Sequence, residues 1–108
     1  MQFTIVQCTS DVPVKTVTFH PPGGTIGRSQ DNDLVLPDEA RSISRLQALV
    51  HLSGEGECRL TNQGSVTPVE HNGVALKRGV QVRLKHGDAL RIGDYAIDVR
   101  DPAVHGVN

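Results

Sequence analysis

The sequence predicts an all-β domain, a β-sandwich built from about ten short strands. Three observations predict it. Apolar residues alternate instead of recurring every three or four positions, turn residues interrupt the alternation at short intervals, and no segment of helical length is amphipathic.

The alternation can be followed along the chain. Met1, Phe3 and Ile5 open it, followed by Ala48, Val50 and Leu52, then Cys58 and Leu60, then Val80, Val82 and Leu84. Tyr95, Ile97 and Val99 close it. A period of two puts every second side chain on the buried face of a strand. The turn signals are Pro21-Pro22-Gly23-Gly24, Ser53-Gly54-Glu55-Gly56, Asn72-Gly73, His86-Gly87-Asp88 and Gly93-Asp94. Asn72-Gly73 suits a two-residue hairpin, because a type I′ turn needs positive φ at both central residues. The expected domain is residues 1–100. Asp101 to Asn108 is poor in apolar residues and reads as a tail or the start of a linker. Met1 leads directly into a strand, so the chain is expected to be the N-terminal domain of a longer protein.

Bulk properties narrow the function. The 108 residues are enough for one domain with its own core. Net charge is -1, with no run of Lys or Arg, so nucleic acid is not an expected partner. No stretch of about 18 apolar residues and no secretion signal are present, which predicts a cytoplasmic protein with no membrane partner. Cys8 and Cys58 are too few and too far apart for a disulfide framework and read as small buried hydrophobes. His20, His51, His71, His86 and His105 show no ligand spacing, so no metal and no cofactor are expected. Asp31, Asp33, Asp38 and Glu39 form an acidic stretch that reads as a solvated loop. No Ser/His/Asp or Cys/His set points to catalysis, and the chain is not expected to be an enzyme.

Three loops carry polar chemistry. They are Gly24-Thr25-Ile26-Gly27-Arg28-Ser29, Arg41-Ser42-Ile43-Ser44-Arg45, and Thr61-Asn62-Gln63-Gly64-Ser65-Val66-Thr67-Pro68. Arginine offers a planar fork of donors, serine and threonine offer short hydroxyls, and glycine lets backbone N–H groups approach. Together they can hold a phosphate outside a sheet. Plainer readings stand beside this one. Arg28 can pair with Asp31 or Asp33 at the surface, Ser44 can cap a turn, and Arg45 can be solvated.

Order and spacing add to this. Gly27-Arg28, then Ser44 with a polar Gln47 three residues on, then Asn72-Gly73, resemble the signature of the forkhead-associated (FHA) domain. The resemblance spans roughly residues 3 to 100. It implies an FHA-type sandwich of about eleven mostly antiparallel strands, with binding loops at one end that take phosphothreonine peptides. The stretch from Gly24 to Asp38 is similar to FHA domains that accompany bacterial type VI secretion systems, where a Ser/Thr kinase and a phosphatase control assembly. The implied partner is a phosphothreonine-containing protein, such as a kinase or a secretion-system component.

The resemblance also implies roles. Arg28 grips the phosphate, Ser44 donates its hydroxyl to it, and Arg45 can add a second positive charge. Ser65 and Thr67 lie where the peptide is contacted. Gly27, Gln47, Asn72 and Gly73 are structural, the last two as the hairpin that shapes the binding end. Two departures stand out. Gln47 replaces a histidine that braces the loops from behind, and Thr67 replaces an asparagine that bonds the peptide backbone. They keep an alternative open, a phosphate-independent scaffold of the same fold.

Overall fold

The computed structural model describes residues 1–7, 15–38 and 41–102. Eleven strands run in order: β1 (Gln2–Gln7), β2 (Thr16–Thr18), β3 (Gly23–Gly27), β4 (Leu34–Val35), β5 (Ala48–Leu52), β6 (Cys58–Asn62), β7 (Val69–His71), β8 (Val74–Leu76), β9 (Gln81–Leu84), β10 (Ala89–Ile92) and β11 (Tyr95–Arg100). One sheet has the order β2-β1-β11-β10-β7-β8, the other β4-β3-β5-β6-β9. Every pairing is antiparallel except β3 with β4. The all-β sandwich read from the alternation is the fold observed.

The alternation fixes which face is buried. Ala48, Val50 and Leu52 of β5 are buried while Leu49 and His51 are exposed. Cys58 and Leu60, and Tyr95, Ile97 and Val99, are likewise buried. Phe3 and Phe19 meet edge to face at 4.8 Å between ring centroids, a favoured aromatic geometry. Val80 departs from the pattern. It precedes β9 at a turn, where its N–H donates to Lys77 O and its carbonyl accepts the Asn62 N–H, and it is 40% exposed. Cys58 is buried, and loss of water pushes its thiol up to about 11, so it stays protonated. Cys8 lies outside the described residues, as do Glu39 and the tail from residue 103.

Asn72 and Gly73 have φ values of 50° and 86°, as the hairpin requires. Their location differs from the expectation. β7 leaves the 63–68 loop at Val69 and reaches the turn three residues later, at the opposite end of the sandwich. There Asn72 donates to Asp88 (3.2 Å) and accepts from the Ala89 amide (2.8 Å). Asp88 also takes the His71 ring N–H at 2.8 Å and the Lys85 amide at 2.9 Å. Burial opposes its charge, but these three donors outweigh it and hold the carboxyl below the usual range. The pair Asn72-Gly73 therefore closes the far end of the fold, not the loop end.

Candidate functional site

The ends of β3 and β6 and the start of β5 bring three loops together, because Ile26 pairs with Ala48 and Ala48 pairs with Asn62. The loops are then joined by bonds that cross between them. Arg28 N–H donates to Ser44 O (3.0 Å), and Ser29 N–H to Arg45 O (3.3 Å). Asn32 Nδ2 reaches both Ser29 O (2.8 Å) and Arg45 O (2.6 Å). Gly27 is required at this approach, since a Cβ there would collide with the Arg45 carbonyl.

Gln47 is the centre of the second join. It is fully buried. Its Oε1 accepts the Ser44 amide (2.9 Å), and its Nε2 donates to Asn62 Oδ1 (2.9 Å) and Thr67 O (2.6 Å). Its own carbonyl takes the Gln63 amide at 2.8 Å. Asn62, also buried, completes the network through Leu76 O (2.7 Å) and the Gly64 amide (2.9 Å). A Cβ on Gly64 would strike the Gln47 amide, so a glycine is needed there. No buried side-chain polar atom of the described residues is left without a partner, as a low-dielectric network demands.

Arg28 is half-buried, and its Nε donates to Ile43 O at 3.0 Å. It makes no ion pair with Asp31 or Asp33. Those carboxylates are engaged elsewhere, and the expectation of a merely solvated acidic loop is corrected for two of its members. Asp33 accepts the Thr25 amide (2.9 Å), and Asp38 accepts the Ser42 hydroxyl and the Ile43 amide, both at 2.8 Å. Asp31 is exposed, and among the described residues its carboxylate takes only a long contact from Ser29 Oγ (3.4 Å). With Nε held, Arg28 keeps both terminal nitrogens for a ligand. Ser44 is half-exposed, its backbone is held on both sides, and its hydroxyl has no partner among the described residues. Arg45 is exposed, and its carbonyl, not its side chain, holds the loops together.

Ser65 is exposed on the third loop. Thr67 is half-buried, and its Oγ1 donates to Ser42 O at 2.8 Å, tying the third loop to the second. Its hydroxyl proton is therefore committed, and only lone pairs remain for a ligand. Sequence reasoning did not single out Asn32, Asp33 and Asp38 as braces. Short polar side chains that bond nearby backbone are the available signal for such residues.

Among the described residues, no group of three His, Cys, Asp or Glu is placed to hold a metal. Among the same residues, no helix is long and apolar enough to cross a membrane. A shallow depression of about 590 Å³ lies on the outer face of the β3-β5-β6-β9 sheet, lined by Leu49, His51, Arg59 and Gln81 among others. Of the three polar segments only Gly24 and Thr61, both within strands, line it; Arg28, Ser44 and Thr67 do not.

The family model of the FHA domain matches residues 24–93, more than half of the chain and all three loops. The chain belongs to the FHA domain family. Solved structures agree on the fold. The FhaA FHA domain, solved in complex with the intracellular domain of Rv3910, superposes with a TM-score of 0.76 at 24% identity, covering 92% of this chain and 98% of its own. The FHA domain of the CT664 protein from Chlamydia trachomatis gives 0.74 at 19% identity, covering 94% and 98%. The N-terminal FHA domain of Rad53p from S. cerevisiae, solved with a phosphothreonine peptide, gives 0.69 at 17% identity, covering 93% and 94%. A search of curated proteins finds no match. An FHA domain is a binding module, and in this one the loop end presents a clamped arginine beside a serine hydroxyl that has no partner among the described residues.

Proposed function

We propose that this FHA domain reads phosphothreonine in a partner protein, with Arg28 and Ser44 holding the phosphate. One observation carries the reading. Arg28 is clamped at Nε, and its remaining donors have no carboxylate to neutralise them. Ser44 sits beside it with an uncommitted hydroxyl. Arg45 supplies a second positive charge, while Ser65 and Thr67 border the peptide. Gly27 and Gln47 shape the site without touching the ligand. A phosphothreonine carries about -1.5 to -2 charges at pH 7, which two arginines balance.

The finer assignment rests on the segment from Gly24 to Asp38, which is similar to FHA domains of type VI secretion systems. On that reading the domain is a kinase-regulated, cytoplasmic component of a bacterial secretion apparatus, residues 1–100 forming the module and the remainder a linker. Its partner is a phosphorylated kinase or secretion-system protein, and it has no catalytic role. One observation favours the alternative of a phosphate-independent scaffold: the Thr67 hydroxyl is already committed to Ser42.

Calorimetry with one threonine peptide, with and without its phosphate, separates the two. Wild type binds the phosphorylated form only. Arg28→Ala loses about 1.5–3 kcal/mol, more than tenfold in affinity, with the fold retained. Arg28→Lys recovers part of the loss, since an ammonium presents a point charge and not a fork. Equal binding of both peptide forms would leave the scaffold as the better account.

A further inference from the structure

We infer that the outer face of the β3-β5-β6-β9 sheet docks an acidic, unphosphorylated segment of a partner protein, whose carboxylates sit on a row formed by His51, Arg59 and Arg83. The surface is apart from Arg28 and Ser44, and the inference stands whether or not the loop end reads phosphothreonine.

Three observations meet on this face. The first is register. His51 of β5 pairs with Arg59 of β6, and Arg59 pairs with Arg83 of β9. All three are exposed, while their neighbours in each strand turn inward. Arg59 and Arg83 are like charges directly opposite each other, an arrangement that weakens a sheet. His51 extends the row and adds charge when protonated. The fold gains nothing from this placement.

The second is charge. Glu57 meets the row, 3.2 Å from Arg59 and 3.9 Å from Arg83. The Arg59 guanidinium holds its carboxyl below the usual range, and Arg83 and His51 act in the same direction. One carboxylate against two guanidiniums leaves the row positive, on a chain whose net charge is -1. The Arg83 side chain is 67% exposed, so it is open to a second carboxylate.

The third is shape. Gly23 lies opposite His51 on β3 and carries no side chain. The depression of about 590 Å³ opens on this face, and Leu49, an exposed apolar residue, lines it together with Thr61 and Gln81. An apolar spot inside a polar rim is the composition of a protein interface. Phe3, Phe19 and Tyr95 are the chain's aromatic residues, and all are buried, so nothing here stacks a nucleic-acid base. An extended segment carries alternate side chains about 7 Å apart on one face, and the basic row spans two strand spacings, about 10 Å. Two carboxylates at alternate positions reach the row, and an apolar residue next on the same face covers Leu49.

The test uses two capped peptides, Leu-Ser-Glu-Ser-Glu-Ser-Leu and its counterpart with glutamine for both glutamates. Each is titrated at low salt into isotope-labelled protein, and the amide shifts are followed by NMR. In wild type the shifts cluster on β5, β6 and β9, and the glutamate peptide binds about two- to thirtyfold more tightly, the size of two exposed ion pairs. In the double variant Arg59→Gln/Arg83→Gln that ratio falls to about one, while Arg28→Ala leaves it unchanged. A wild-type ratio near one, a ratio that survives the double variant, or shifts confined to the loop end around Arg28 and Ser44 overturns the inference. So does a single-stranded oligonucleotide that moves the same amides at lower concentration than the glutamate peptide. Neither peptide carries phosphate, so this reading and the phosphothreonine reading fail separately.

Discussion

Replacing Gln47 by leucine tests whether the buried amide network, and not the backbone ladder alone, holds the binding loops. Leucine fills a similar volume, so the loss is polar. Three bonds disappear: to the Ser44 amide, to Asn62 Oδ1 and to Thr67 O. Each contributes about 0.5–1.5 kcal/mol net. Asn62 Oδ1 keeps the Gly64 amide and is not orphaned. Ser44 N–H and Thr67 O lose their side-chain partner at partly buried positions, where water compensates in part. The sum is about 2–4 kcal/mol, a large share of the roughly 5–15 kcal/mol that holds a small domain together. Urea denaturation should show the midpoint falling at nearly constant slope, and Tm should drop by roughly 10–20 °C. Gln47→His is the control. A neutral imidazole has one bare nitrogen for the Ser44 amide and one N–H for Thr67 O, so only the bond to Asn62 is lost and the cost is about 1 kcal/mol. If Gln47→Leu is as stable as wild type and binds the phosphopeptide as tightly, the network does not position Ser44 and the reasoning is wrong.

Thr67→Asn should tighten phosphopeptide binding by about 0.5–1.5 kcal/mol, because Nδ2 can keep Ser42 O while Oδ1 is freed for a peptide N–H. Calorimetry showing no gain in a folded variant would mean the peptide does not pass Thr67. Phosphothreonine should bind more tightly than phosphoserine by on the order of 0.8 kcal/mol if the extra methyl is buried; equal affinities for a matched pair would remove that niche from the account. Asp88 links stability to pH. Its folded carboxyl is held below the usual value, so its contribution is complete above the ordinary carboxylate value of 3.8 and is lost as pH falls through the folded one. The Tm difference between wild type and Asp88→Ala should therefore shrink as pH is lowered from 6 toward about 2; a difference that stays constant would contradict the linkage.

The fold was legible because alternation is a strong signal and the sheets obey it. The buried positions of β5, β6 and β11 are the alternating residues themselves. The two-residue turn at Asn72-Gly73 was legible for a similar local reason, since its backbone needs residues that accept positive φ. Its place in the molecule was not. Short β7 carries the turn away from the loop end, and strand length is set by pairing with β10, from Leu90↔His71 to Ile92↔Val69. The roles of Asp33 and Asp38 were hidden for another reason. A carboxylate in a loop looks the same in sequence whether it meets water or a backbone amide. What decides is whether the chain folds back on it, as Ser42 and Ile43 do on Asp38. Arg28 shows the reverse error. An arginine beside Asp31 and Asp33 suggests an ion pair, but the Ile43 carbonyl takes its Nε.

On the proposed reading, that last bond also explains how a site on loops is selective. A free arginine side chain loses up to about 2 kcal/mol of rotamer freedom when it is fixed by a ligand. Here one nitrogen is already bonded to a carbonyl of the neighbouring loop, so part of that cost is met during folding. The same holds for Ser44, whose amide and carbonyl are both engaged before any ligand arrives. The remaining free groups are the two guanidinium nitrogens and one hydroxyl. They match an oxygen-rich dianion, because a hydroxyl and a fork of N–H groups can all donate at once. A carboxylate in place of phosphothreonine has one charge and two oxygens, and it satisfies fewer of these donors. On the proposed phosphothreonine reading, specificity for phosphate over aspartate follows from the number of donors held in place, not from their strength.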